Sequence, residues 1–497
     1  MSENKLLSAS IAYTFGDLLT LGVNGFLLIP VYLRFMSPEE YGTYNTVTTM
    51  IIIVGAVMTF GFHSSFARYY FIFEEQNRQN EYLGSLWLFQ SFLSLIIAII
   101  ALLFGKFIWS FVSPEVPFDK YFIFVLLGSI LSFSSGIYCI LLRLQNKAAL
   151  FVKIQIAMTI AFVFCVWLLL VKMNLEAVGV IGASLIVSAL YVVLSVIALK
   201  GQIKWNLNYI YIKDSLYFGF WMMLATFGFF LLNRSQIFIL QHYAPLSKVG
   251  ILGLGLQLSS ILILFSNSFN KAYQPLIYSC KSDDQVREAV LRPFKYYLVG
   301  TVYFVLGVTI LSKEILSIIA PNSYSGADVI FQLLVLANFC YIMTTFSTNV
   351  LLYKQRSDIV QTVIWLSLGV NFLISLFLVP KWQEIGSAMA MVVSFLVYLI
   401  INIFLSQRQL KIKYDWSSII NCCLIAILLY AVGNFIEMAN GMIFKLIGKG
   451  IILAFFPLIV IFVKFFDQQE LEYLYSLWKP IKYKIVNLFR FGTRYGG

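Results

Sequence analysis

Two charged side chains, Asp17 and Arg234, lie inside apolar stretches long enough to cross a membrane. Placing an ionised group at the centre of a bilayer costs about 2.5–3.5 kcal/mol, so such residues usually serve ions or bound molecules. A guanidinium can bind phosphate or carboxylate through two parallel hydrogen bonds, which makes Arg234 a candidate site for an anionic group. Asp17 is a candidate site for a proton or a sodium ion. The alternatives are local: Arg234 extends to the membrane surface or pairs within its own bundle, and Asp17 bonds to Thr14, Thr20 or Asn24.

Neutral polar side chains accompany these charges. Asn233 and Gln236 flank Arg234, and Asn24 and Gln257 lie in two other apolar stretches. Amides suit a sugar chain, which offers many neutral hydrogen-bond sites and few charges. The same groups also join neighbouring membrane helices, at about 1–2 kcal/mol each or less. The sequence therefore predicts a cavity lined by Arg234 and these four residues, with helix-to-helix bonding as the alternative for each of them.

Enzyme chemistry has little support. The chain has two histidines, His63 and His242, no paired-histidine metal motif and no visible nucleophile beside a base. The glycines at 250, 253 and 255 open a membrane helix and follow no strand, which favours close helix packing over phosphate binding. No catalytic residue, metal site or cofactor other than a coupling ion is predicted.

Composition identifies the elements that must hold these residues. Hydrophobic residues make up 60% of the 497-residue chain and charged residues 12%, whereas charged residues approach about a quarter of a soluble domain. The sequence therefore predicts an all-α integral membrane protein. Apolar windows of about 20 residues predict fourteen transmembrane helices, near residues 9–35, 42–63, 82–105, 121–142, 150–171, 178–199, 214–240, 249–270, 294–312, 328–352, 359–379, 385–405, 417–436 and 447–466.

The distribution of basic residues predicts the orientation. Of the 35 Lys and Arg residues, 25 lie on the side of the two termini and 9 on the other side, and Arg234 is inside a span. Because basic residues concentrate in cytoplasmic loops, both termini are predicted to be cytoplasmic. The net charge of +12 then reflects topology, and no nucleic-acid partner is predicted. The six cysteines follow neither a disulfide nor a metal spacing.

An internal repeat groups the predicted helices. Residues 105–114 recur as 312–321, an offset of 207, and the turn at 37–42 recurs at 244–250. Six spans return the chain to the side on which it started, so the two bundles are predicted to be parallel repeats, related by an axis along the membrane normal. The predicted domains are two six-helix bundles, an extra helix pair and a basic cytoplasmic tail, over residues 1–200, 201–413, 414–466 and 467–497.

The repeat also relates the charged residues to one another. Asp17 and Arg234 lie in the equivalent first helices of the two bundles, toward the cytoplasmic and the external half of the membrane respectively. Arg68 and Lys271 follow the equivalent second helices and put a positive charge at the inner mouth of each bundle. A pyrophosphate at the membrane surface would be drawn there, and so would any anionic lipid.

One turn carries a family resemblance. Residues 36–42, Met-Ser-Pro-Glu-Glu-Tyr-Gly, follow a first helix that contains Gly16-Asp17-Leu18, and Ile181-Gly182-Ala183-Ser184 comes later. Together with the fourteen spans, these motifs resemble bacterial polysaccharide and O-antigen flippases of the multidrug, oligosaccharidyl-lipid and polysaccharide (MOP) exporter superfamily. The turn matches the family pattern at every position, and the resemblance covers the whole chain.

The resemblance implies a function. It implies two bundles in a V that work by alternating access in the bacterial cytoplasmic membrane, and that flip a polyprenyl-pyrophosphate-linked oligosaccharide to the outer leaflet. It implies a cationic cavity lined by helices 1, 2, 7 and 8, with membrane lipids and other polysaccharide assembly proteins as further partners. With a single arginine inside a span, a neutral glycan suits the chain as well as an acidic one. An ion-coupled drug or cation extruder of the same superfamily is the alternative, and a membrane glycosyltransferase or polymerase would need larger external loops.

Overall fold

A computed structural model describes residues 15–16, 18–72, 76–200, 203–204, 206–436, 442–463, 465 and 470. Every regular element in these residues is a helix. In chain order they are α1 Leu18–Phe35, α2 Pro38–Thr59, α3 Phe62–Tyr69, α4 Gln76–Val112, α5 Phe118–Leu144, α6 Ala148–Lys172, α7 Glu176–Leu199, α8 Tyr209–Gln241, α9 Leu246–Ser259, α10 Ile261–Tyr278, α11 Asp283–Ile310, α12 Ser312–Ile319, α13 Ala327–Tyr353, α14 Ser357–Gln409, α15 Trp416–Ile436 and α16 Met442–Phe462. A one-turn 3₁₀-helix, Asn322–Tyr324, lies between α12 and α13.

The predicted all-α membrane fold is confirmed. Thirteen helical stretches in the described residues are long and apolar enough to cross a membrane, with α9 and α10 forming one of them. The 53-residue helix α14 bends at Gln383, whose φ of 45° and ψ of −120° are not helical, and it contains two predicted spans, 359–379 and 385–405. Counted on either side of this bend, the described helices supply the fourteen predicted spans.

The start of α2 explains the turn motif in physical terms. The Ser37 hydroxyl accepts a hydrogen bond of 3.2 Å from the backbone N–H of Glu40, which caps the helix. Pro38 occupies the first helical position, where its missing N–H costs nothing. Glu39 and Glu40 lie in the first turn, where the helix dipole favours negative charge. Four of the seven motif residues therefore fix where the second membrane helix begins.

Contacts divide the chain into two units. The larger unit contains residues 1–289 and 312–411, and the smaller one contains residues 290–311 and 412–497. Within the smaller unit, the rings of Tyr303 in α11 and Phe456 in α16 stack with centroids 5.7 Å apart. Within the larger unit, we call α1 to α7 the N-terminal half, and α8 to α10 with α12 to α14 the C-terminal half.

The two halves meet most closely where α2 crosses α9. A Cβ atom on Gly42 would overlap the carbonyl oxygen of Leu246, and one on Gly250 would overlap the carbonyl oxygen of Pro38. Gly42 and Gly250 are 208 positions apart, and so are Pro38 and Leu246. The contact is therefore reciprocal, as a two-fold axis between the halves requires. Only glycine allows the two backbones to approach this closely.

A second close approach lies between α8 and the break that separates α2 from α3. Phe60 and Gly61 have left-handed backbone angles, with φ of 47° and 69°. A Cβ atom on Gly61 would overlap the carbonyl oxygen of Gly219 in α8, and Ser65 donates a hydrogen bond of 2.9 Å to the carbonyl of Ser215. The N-terminal half thus packs against α8 near the end of the bundle remote from the α2–α9 crossing.

Gly250→Ala is expected to loosen the α2–α9 crossing, because the added methyl group meets the backbone of Pro38. Overpacking costs about 1–3 kcal/mol. The reporter is a cysteine that replaces Asn45, which lies beside the crossing and is 4% exposed, in purified protein lacking the six native cysteines. This cysteine should react with a maleimide about tenfold faster when Gly250→Ala is present than when it is absent. Gly369→Ala is the control, since nothing lies within 4 Å of its added Cβ atom. Equal labelling rates in the two variants would contradict this account of the crossing.

Candidate functional site

Arg234 lies in α8, half-buried, beside α2. Its guanidinium lies near the side chains of Tyr41 and Tyr44, and no carboxylate pairs with it among the described residues. Tyr44 packs against Tyr41 with ring centroids 5.7 Å apart, and Tyr41 packs edge-on against Tyr324 of the C-terminal half at 6.1 Å. The cation therefore lies beside neutral aromatic groups between the two halves, close to the Gly42 crossing.

The neighbours of Arg234 on α8 serve other purposes. The Gln236 amide donates to Asn371 Oδ1 at 2.7 Å and to Ser375 Oγ at 2.8 Å, both in α14, and its side chain has no exposed surface. Asn233 donates to the carbonyl of Phe229, one turn earlier in its own helix. In this structure Gln236 joins α8 to α14 inside the C-terminal half, and neither amide is brought to Arg234.

Asn24 and Gln257 are brought together at the junction of α1 and α9. The middle of α1, Val23–Leu27, is a π-helical turn, and such turns often occur at functional sites. Gln257 donates a hydrogen bond of 3.0 Å to the carbonyl of Gly25 in this turn. Asn24 Oδ1 is buried and has no hydrogen-bond partner among the described residues. An acceptor without a partner at an irregular turn is available to a bound molecule.

A polar cavity of about 470 Å³ opens between α1, α6 and α10. Lys271 contributes a cation to its lining, and Thr20 and Gln155 line the facing helices. The remaining polar residues lie along α10 and are Asn267, Ser268, Asn270 and Gln274. Asn267, Asn270 and Gln274 are three and four positions apart, so they form one stripe on the helix surface. The cavity lies between the two halves, toward the end of the bundle away from the α2–α9 crossing.

Arg68 and Asp17 complete the set of predicted residues. The exposed Arg68 guanidinium lies over the ring of Phe218 in α8, 4.5 Å from its centroid. It therefore covers the closed contact between α3 and α8, whereas Lys271 lines the cavity on α10. Asp17 lies outside the described residues, so its predicted role in ion coupling stays a prediction.

Sequence reasoning did not single out the residues that surround Arg234 or most of those that line the cavity. Tyr41, Tyr44 and Tyr324 are distributed over two distant segments, and only folding brings them together. The polar stripe on α10 was detectable, since Asn267, Asn270 and Gln274 follow a helical period within a predicted span and the polar loop after it.

Gln236→Met is expected to lower the stability of the protein, because it removes two interhelical hydrogen bonds and leaves Asn371 Oδ1 only the longer bond of 3.4 Å from the Ser235 hydroxyl. Interhelical hydrogen bonds in membranes contribute about 0.6 kcal/mol on average and up to about 1.7 kcal/mol. The thermal midpoint of detergent-solubilised protein measures this loss. Asn233→Leu is the control, since it removes only a bond within α8. A larger loss in Asn233→Leu than in Gln236→Met would show that the α8–α14 network does not stabilise the fold.

Comparison with known proteins agrees with this architecture. The chain is similar to the lipid II flippase MurJ in an inward closed conformation, with a TM-score of 0.73 and 14% identity, over 91% of this chain and 98% of that chain. It is also similar to an inward-facing multidrug resistance MATE transporter of the MOP superfamily, with a TM-score of 0.64 and 13% identity, over 81% of this chain and 98% of that one. A third similar structure is the Vibrio cholerae MATE transporter VcmN, with a TM-score of 0.55 and 13% identity, over 82% of this chain and 96% of that chain.

At these identities the structural similarity shows the fold. No curated protein matches the chain by sequence. The family profile described as polysaccharide biosynthesis protein matches residues 31–329, which is more than half of the chain and includes α2, the α2–α9 crossing, Arg234 and Lys271. The chain therefore belongs to the polysaccharide biosynthesis protein family, and its fold is that of transporters of the MOP superfamily.

Proposed function

We propose that this protein is a flippase that moves a polyprenyl-pyrophosphate-linked oligosaccharide across the bacterial cytoplasmic membrane by alternating access. One observation carries the proposal. The halves are closed against each other at the Gly42–Gly250 crossing, while a polar cavity that contains Lys271 lies between them toward the other end. A pathway closed at one end and accessible near the other is what alternating access requires.

The chemistry of the cavity suits a charged, sugar-bearing headgroup. Hydroxyl and amide groups from α1, α6 and α10 offer neutral hydrogen bonds to sugar hydroxyls. The Lys271 ammonium supplies a positive charge for a pyrophosphate at the predicted cytoplasmic surface. The cavity lies at the seam between α1 and α10, so a lipid chain can remain in the bilayer while the headgroup enters.

Arg234 is a second proposed binding point for the headgroup of the substrate as it crosses the membrane. It lies nearer the closed end, between the halves, with tyrosine hydroxyls but no carboxylate as its electrostatic neighbours in the described chain. A cation without an anionic partner among the described residues is available to an anionic headgroup once the crossing opens. Because the guanidinium is forked, it can bind a phosphate through two hydrogen bonds.

The alternative function, a drug or cation extruder, requires a cavity with negatively charged side chains. A protein that exports organic cations needs carboxylates where the cation binds. The described residues that line the cavity include Lys271 and no Asp or Glu. The positive charge of Lys271 favours an anionic substrate. If the protein were an extruder, deletion of its gene would be expected to cause loss of drug resistance.

Deletion of the gene in its host is expected to trap lipid-linked oligosaccharide on the cytoplasmic face of the membrane. A membrane-impermeant sugar-cleaving enzyme added to sealed vesicles of known orientation measures the exposed fraction. The intact chain should restore exposure on the outer face. Lys271→Glu should restore much less than Lys271→Gln, since a carboxylate repels a pyrophosphate. Unchanged lipid-linked sugar together with drug sensitivity would reject the flippase in favour of the extruder.

Arg234→Ala is expected to reduce export in the same assay by about tenfold or more, since hydrogen bonds to charged groups contribute about 1.5–3 kcal/mol each. Arg234→Lys keeps the charge but loses the fork, so an intermediate rate is expected. Arg356→Ala is the control, because Arg356 is an exposed arginine paired with Asp358. Full export by both Arg234 variants would exclude this residue from the substrate path.

A further inference from the structure

An apolar slot of about 640 Å³ lies between the two halves, on a different seam from the polar cavity. The N-terminal half lines it with α2, α4 and α5, and the C-terminal half with α8 and α14. Apart from His242 and Tyr243 at one end, the lining is hydrocarbon and aromatic, and it includes Val54, Ala101, Trp109, Phe122, Leu231 and Leu376. The lining helices are all candidate membrane spans.

The slot is open sideways to the surrounding medium. Phe111 and Phe372, which lie at its margins on α4 and α14, are 76% and 52% exposed. Neighbouring residues on the same helices, such as Leu102 and Leu373, are 63% and 59% exposed and face away from the slot. In a membrane these surfaces contact hydrocarbon, so whatever enters the slot comes from the bilayer.

A polar cap closes one end of the slot. The two ring nitrogens of His242 lie 2.8 Å from the Phe111 carbonyl and 2.9 Å from the Phe238 carbonyl. Ser113 donates to Gln241 Oε1 at 2.6 Å, and Gln241 donates to Thr46 Oγ1 at 2.8 Å. These bonds join the ends of α4 and α8 to α2, on the predicted external side. A molecule in the slot therefore meets polar groups at this end.

Close packing closes the seam at the other end. The same helix α8 meets the N-terminal half at Gly219, where a Cβ atom would lie 2.6 Å from the carbonyl oxygen of Phe60. Ser65 bonds to Ser215 there, and Arg68 covers the contact. The slot is thus confined to the half of the membrane nearer the polar cap.

The dimensions match one leaflet. From Ala101 to Val112 on α4, at 1.5 Å per residue, the slot is about 16 Å long. This is close to half of the roughly 30 Å hydrocarbon core. Dividing the volume by this length gives a cross-section of about 40 Å². An α-helix about 10 Å wide needs about 80 Å², so a lipid chain fits the slot more closely than a further transmembrane helix does.

A single branched chain fills the slot better than a single straight chain. At about 30 Å³ per water-sized group, the slot holds about twenty such groups. An extended unbranched chain, with bonds of about 1.5 Å, supplies about twelve carbons over this length. A methyl branch on every fourth carbon raises the number to about fifteen, and each added contact contributes dispersion energy. A straight chain leaves more of the slot unfilled.

We infer that this slot binds the isoprenoid chain of the lipid-linked substrate in the outer leaflet, with its phosphate end beside His242 and Tyr243, which line the slot at the polar cap. The inference rests on the proposed function, which supplies a polyprenyl lipid that reaches this leaflet. The chain contacts helices of both halves at once, so its binding depends on how the halves are arranged. The polar cavity and the slot then hold the two ends of the transport path, at opposite faces of the membrane.

Binding to the purified full-length protein tests the inference. The probe is geranylgeranyl phosphate, whose chain carries a methyl branch on every fourth carbon, and native mass spectrometry measures its retention against excess phospholipid. Ala101→Phe and Leu376→Trp fill the slot from two helices and should weaken retention about tenfold, the effect of losing about two buried methylene groups. Leu102→Phe and Leu373→Trp are the controls, because they place the same aromatic side chains at exposed positions on the same helices.

Three results decide the matter. If the slot-filling variants retain the probe as well as the controls do, the inference is overturned. Equal retention of unbranched eicosyl phosphate by the intact chain overturns the isoprenoid assignment, since that probe has the same headgroup and carbon number. Selective retention of the branched probe, lost in Leu376→Trp at the open margin and in Ala101→Phe, supports it. The host deletion assay is independent, so a failure there rejects the flippase and leaves the binding result as measured.

Discussion

The reciprocal contact of Gly42 with the backbone of α9 and of Gly250 with the backbone of α2 governs the rest of the larger unit. Lipid tails are as apolar as leucine, so membrane helices associate through close packing and polar contacts. A Cβ atom at either glycine removes the closest of those contacts. With the halves held together here, separation between them is confined to other parts of their interface, where the cavity beside Lys271 lies.

The two seams between the halves differ in a way that suits an amphipathic molecule. One seam, at α1 and α10, contains a polar cavity toward the end away from the crossing. The other, at α2 and α8, is packed closely at that end through Gly61 and Gly219 and forms an apolar slot at the opposite end. A lipid-linked sugar has one polar and one apolar part, and the two sites differ in the same way.

Amide side chains show how the same residue type acquires different roles. Gln236 and Gln257 both lie in membrane helices and both donate to another helix, but the first bonds to buried side chains of α14 and the second to a backbone carbonyl of a π-helical turn. Asn233 bonds to its own helix. The hydrogen-bond partner of each amide depends on which neighbouring helix its side chain faces. The spacing of amides along the sequence does not predict which helix that is.

The sequence by itself determined the membrane class, the fourteen spans and the start of α2, because span length, hydropathy and helix capping are local properties. Only the tertiary structure decided that Tyr41, Tyr44 and Tyr324 lie together near Arg234, that Gln236 is enclosed, and that an apolar slot separates α4 from α14. These features depend on the rotation and crossing of helices distant in the chain. In a bilayer that geometry is set by the fit of whole surfaces, and each surface is shaped by residues from several spans.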